Sequence, residues 1–326
     1  YIAVAKRVEA SQTLERVCCR KGLVNIGYSD IINSFSVFFY IAGIFICVSS
    51  QKSGIPHALF FLLPTIVILV AYLVINEDGT YKVTHAGQFI NTEKGHFPNF
   101  DFIRALKAEL DQDEGTIFRY SNHENTILRE IHRQLDARNE PDKKELQDFI
   151  DSITHYEEGK VKYVGDRDMV DLADVVLKYY FHPIMKGSYS IKVVLPAVQN
   201  SSDFIKEKYS KPVYGTPDMP SANLSEPKVW IEYGPDGSVL SPYKLLPPVS
   251  SYLGIETDLD ERELNVTESI ANGGAALAAY AKMQFSDVTM SEALKNALLT
   301  YCELDTLAMV FIWEYFWNEC NNTLIE

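Results

Sequence analysis

Carboxylates are the groups in this sequence best placed to do chemistry, and three of them stand at informative positions. Glu124 lies in RYSNHENTIL, where a short apolar strand gives way to a helix, the place where sites collect in open α/β sheets. Asp171 closes the strand-like MVD before another helix. Asp305 follows Tyr301 by four residues in YCELDTLAMV, so the phenol and the carboxylate project from one helix face. Leu298 and Met309 share that face, which therefore packs inward. An acid on an inward face needs a partner, and a divalent cation is one candidate. Each acid also has a purely structural account. Glu124 suits the positive end of a helix dipole, Asp171 suits a helix N-cap, and Asp305 suits a buried acid bonded to backbone or to an arginine.

Other chemistries find less support. The chain has no G-x-x-x-x-G-K-[ST], no G-x-G-x-x-G after a strand, no G-x-S-x-G and no H-E-x-x-H. Its five cysteines form no C-x-x-C pair and match no zinc or disulfide spacing, which fits a reducing cytoplasm. Of the seven histidines only His123 adjoins a candidate acid. Thirty Lys and Arg against 44 Asp and Glu give a formal charge of −14, which excludes a generic basic wrapper of DNA or RNA.

The elements that must position these acids alternate between strand and helix. Asn76-Glu77-Asp78-Gly79 signals a turn, and Thr80–Ile90 has the alternation of a strand. A helix is predicted over 100–110, a strand over 116–120, and helices over 125–135 and 143–155. A strand near 168–172 leads into a helix through Tyr180, while 188–198 reads equally as helix or strand. Eight of the 14 prolines fall between Pro212 and Pro248, which predicts an extended surface insertion with one hairpin turning at Gly234–Gly237. Helices over 274–284 and 291–317 close the chain, the second opened by a Thr289-Met290-Ser291-Glu292 capping box.

The first 75 residues are different in kind. They carry a net charge of +3, against −17 for residues 76–326, and contain two uncharged runs, 31–48 and 58–75. Each is long enough to span a bilayer, so residues 1–75 read as a two-helix membrane hairpin. The preceding bases would put the acidic domain of 76–326 in the cytoplasm, at the inner membrane. Against this, Thr65–Ile75 is rich in β-branched residues and reads equally as a buried strand. A reading-frame break near residue 76 would also account for the change in character.

The stretches GTIFRYSNHENTILREI (115–131), HPIMKGSYSIKVVLPAV (182–198), ANGGAALAAY (271–280) and LLTYCELDTLAMV (298–310) together resemble a bacterial family of uncharacterised proteins. The core of that family is similar to the ribonuclease H-like fold of the DEDD 3′–5′ exonucleases. The resemblance spans about residues 78–317 and implies a ribonuclease H-like mixed sheet flanked by helices. It places Glu124 at the second acidic motif and Asp305 at the third. Tyr301 completes the Y-x-x-x-D form and orients the attacking water, and Asp171 falls near a further acidic position. Such enzymes hold Mg²⁺ or Mn²⁺ in pairs to hydrolyse the phosphodiester at a nucleic-acid 3′ end. Lys192, Lys186 and Arg119 are then candidates to meet the substrate phosphates. The family's first motif, Asp-x-Glu on the opening strand, occurs nowhere in residues 1–75. The implied enzyme is thus a metal-dependent nuclease that lacks part of its ligand set and a first strand that is missing or replaced. The competing expectation is a membrane-tethered, non-catalytic module that binds nucleic acid or protein.

Overall fold

The computed structural model of the chain describes residues 2–6, 67–75, 81–112, 114–253 and 269–322. The first elements among the described residues are β1 (Ile2–Lys6), β2 (Val67–Ile75), β3 (Tyr81–Ile90), α1 (Asn99–Leu110) and β4 (Thr116–Arg119). Two helices follow, α2 (His123–Asp136) and α3 (Lys143–Ile153), then a hairpin of β5 (His155–Glu158) and β6 (Val161–Val164). The short β7 (Val170–Asp171) leads into α4 (Leu172–Tyr179), α5 (Ile191–Ser201) and α6 (Asp203–Tyr209). The last two helices among the described residues are α7 (Gly273–Met283) and α8 (Val288–Asn322). Residues 188–198, ambiguous in the sequence, are helical from Ile191 onward.

Five strands make one mixed sheet in the order β3-β2-β1-β4-β7. β1 is parallel to β2 and antiparallel to β4, β2 is antiparallel to β3, and β4 is parallel to β7. The second apolar run therefore needs correcting. Its 67–75 portion is a strand hydrogen-bonded on both edges, not half of a membrane-crossing helix. Among the described residues no helix is long and apolar enough to cross a membrane. The first run, 31–48, and the 58–66 part of the second lie outside the described residues.

Helices cover both faces of the sheet, and β4 shows why. Neighbouring strand residues point to opposite faces, and Ile117 enters one apolar cluster while Phe118 enters the other. The first cluster joins Ile103 and Leu106 of α1, Leu128 and Ile131 of α2, and Ile150 of α3. The second surrounds α8, which is buried without a break from Ala297 to Glu314. A helix buried on every side has to be apolar almost all round. Its three acids in that stretch, Glu303, Asp305 and Glu314, must each be neutralised or bonded in place.

Two readings of the loops also change. The proline-rich segment is not a surface insertion: Tyr214, Met219, Trp230, Ile231, Val239, Tyr243 and Leu246 are all buried in the second cluster. Its predicted hairpin reduces to a single bridge, Tyr233 to Val239, around the Gly234–Gly237 turn. At the start of α8 the Asp287 carboxylate accepts from Met290 N at 2.9 Å, so Asp287 rather than Thr289 satisfies the helix end.

Candidate functional site

The site begins where β4 ends. Ser121 has a positive φ of 72°, a conformation that costs a non-glycine residue about 1–3 kcal/mol unless its surroundings fix it. Three bonds do so. Ser121 N donates to Asp171 Oδ1 at 2.8 Å, Arg119 Nη1 donates to the Ser121 carbonyl, and the same Nη1 reaches Asp171 Oδ2 at 2.7 Å. The turn places Glu124 in the first turn of α2, where the helix dipole favours an acid. Next along the helix, Asn125 grips both backbone groups of His155 at 3.0 Å and so anchors the β5–β6 hairpin beside Glu124.

Asp305 and Tyr301 come from the buried middle of α8, at 2% exposure each. Tyr243, from the short 3-10 turn Pro242–Leu245, donates its hydroxyl to Asp305 Oδ1. Burial drives the Tyr243 phenol well above its ordinary value of 10.0, and the charge of Asp305 adds to the effect. Lys192, in the first turn of α5, reaches the same place. Its Nζ donates to Tyr301 Oη at 2.8 Å and to the Ala271 carbonyl at 2.7 Å. The same ammonium lies 4.4 Å from the centre of the Tyr243 ring and 4.6 Å from that of Tyr301. Burial pulls the Lys192 pKa below 10.5, while the charge of Asp305 opposes the fall.

Glu124, Lys192, Tyr301 and Asp305 line a single cleft of about 740 Å³. That volume lies in the range of small-molecule sites. Tyr120, Tyr189 and Tyr280 add aromatic wall, and Gly273 at the start of α7 adds backbone. Tyr120 is held by a hydroxyl bond to the Tyr189 carbonyl at 2.7 Å.

The other three candidates stand apart from the lining. Asp171 accepts from Ala173 N at 2.9 Å as the N-cap of α4 and is otherwise taken by Ser121 and Arg119. Arg119, 4% exposed, is bonded into that junction and is not part of the cleft lining. Lys186 is exposed, in a left-handed conformation after the turn Pro183–Met185. Tyr243 was missed in the sequence because it lies in a proline-rich stretch with no periodicity to mark it as buried.

The metal pair implied by the resemblance does not fit these residues. Such a pair draws a carboxylate from every acidic motif, and the cleft offers Glu124 and Asp305. Asp305 is already bonded by Tyr243 and faces the Lys192 ammonium. Among the described residues no three His, Cys, Asp or Glu side chains stand together as a metal-binding set.

Residues 63–190 match a family described as a domain of unknown function, DUF2779. The match takes in β2, so this strand belongs to the matched domain, and it ends at Ser190, just before Lys192. No curated protein and no solved structure matches the chain.

Proposed function

We propose that this chain is a nuclease-like domain of the ribonuclease H-like, 3′–5′ exonuclease type, with a cleft for a nucleic-acid 3′ end and impaired hydrolysis. The observation that carries the reading is the convergence of Glu124, Lys192, Tyr301 and Asp305, from three distant segments, on one cleft. A mixed sheet with helices on both faces agrees with that class. The cleft has room for a nucleotide or two rather than a duplex, and its tyrosines offer faces on which bases stack. The strand between β2 and β4, IAVAK, carries no carboxylate, in keeping with weak or absent hydrolysis. An overall charge of −14 suits capture of a strand end better than binding along a strand.

The test is fluorescence anisotropy with 5′-labelled single-stranded DNA and RNA oligonucleotides, followed by gel analysis of the 3′ end after incubation with Mn²⁺. Binding that is blocked by extending the 3′ end into a duplex, with product near background, is the expected result. Absence of binding to either oligonucleotide at micromolar protein would remove the reading.

A further inference from the structure

The misfit between the cleft and a metal pair has a positive side. We infer that Lys192 is the resident cation of the cleft, so that a phosphate of the terminal nucleotide is bound by its ammonium without a divalent metal. This rests on the nucleic-acid-end reading above and specifies how that end is held.

An ammonium has three N–H donors. Two of those of Lys192 are fixed, on the Ala271 carbonyl at 2.7 Å and on Tyr301 Oη at 2.8 Å. The third has no acceptor among the described residues, and the side chain lines the open cleft. The rings of Tyr243 and Tyr301, at 4.4 and 4.6 Å, favour a cation at this point. Asp305 supplies the opposite charge. This is the setting of a metal ion, with an anionic anchor, oxygen donors and an opening to ligand, yet the cation is covalently part of α5. A divalent ion entering beside Asp305 would meet a fixed positive charge at close range. The starts of α5 and α7 also border the cleft, through Ile191 and Gly273, and their dipoles add to the attraction for an anion. Tyr280, on the α7 side, leaves a wall for the base of the same nucleotide.

The experiment measures a nucleoside 5′-monophosphate by calorimetry and a 5′-labelled single-stranded oligonucleotide by anisotropy, each in EDTA and in millimolar Mg²⁺. The expected result is equal affinity in the two buffers, with a loss of about tenfold or more in Lys192→Gln and partial recovery in Lys192→Arg. The wild-type comparison needs no variant, so a fold defect in Lys192→Gln cannot mask the outcome. Binding that appears only with Mg²⁺, or that persists unchanged in a folded Lys192→Gln, would overturn the inference while leaving the nucleic-acid-end reading in place. No binding in either buffer would bring down both.

Discussion

Arg119 Nη1 meets Asp171 Oδ2 at 2.7 Å, joining the last residues of β4 and β7, which are also register partners across the parallel pair. Their side chains are 5% and 10% exposed. Neither touches the cleft, yet the pair fixes the turn that delivers Glu124 to it, because Asp171 also binds Ser121 N and Ala173 N. A charge pair buried at a strand–helix junction thus places a third acid in the wall of the cleft.

Asp171→Ala should therefore destabilise the fold strongly. It removes the acceptor for two backbone N–H groups and leaves the Arg119 guanidinium, whose Nε already has no partner, buried without its counter-charge. Breaking such a pair costs about 3–5 kcal/mol, to be read from urea denaturation. Asp171→Asn, which keeps a neutral acceptor, should cost less. In the double variant with Arg119→Met the losses should fall short of the sum of the single changes. A loss of about 1 kcal/mol or less would place the pair with ordinary exposed ones.

The sequence carried much of this arrangement. Periodicity located α1, α2, α3 and α8, and the four-residue spacing of Tyr301 and Asp305 correctly put both on one inward face. Glu124 was legible from the strand-to-helix switch in TIFRYSNHENTIL. What periodicity does not encode is partner choice between distant segments. Arg119, a phosphate candidate by the resemblance, pairs with Asp171, 52 positions on, and no local pattern signals that pairing. Tyr243 stood among prolines, where no 2- or 3.6-residue pattern signals burial, so the segment looked solvated. β1 and the β5–β6 hairpin were also missed, because strands of four or five residues have too few positions to establish an alternation.

Glu303 should govern how the proline-rich segment is held. It is 3% exposed and accepts from Tyr214 Oη at 2.5 Å, from the Ser221 hydroxyl, from Ala222 N at 3.3 Å and from Asn223 Nδ2 at 2.6 Å. One carboxylate on α8 thus anchors a segment that has no regular secondary structure to hold it. Glu303→Ala leaves these donors without their acceptor, at about 1–3 kcal/mol for each one that remains buried. Because the loss is local, limited trypsinolysis should cut the variant after Lys228 or Lys244 well before the wild type. Equal cleavage rates at those two lysines would show that the apolar contacts of Trp230 and Ile231 hold the segment unaided.

The phenols around α8 predict an alkaline limit to stability. Tyr209, Tyr214 and Tyr243 bond to Glu314, Glu303 and Asp305 respectively, and burial, reinforced by those carboxylates, holds all three phenols well above 10.0. In the unfolded chain the same groups ionise near their ordinary value of about 10. Below that pH both states keep their protons, and the stability contributed by the phenols is present in full. Above it the unfolded state loses protons that the folded state retains, so stability falls as pH rises. Phenolate absorbance from these three residues should appear only together with the loss of helical circular dichroism. Tyr243→Phe should lower stability at neutral pH by about 1.5–3 kcal/mol, the range for a hydrogen bond to a charged group, and should make the alkaline fall shallower by removing one titrating phenol. If all 19 tyrosines ionise near pH 10 while the helical signal is intact, the buried carboxylate–phenol pairs do not hold α8 in place.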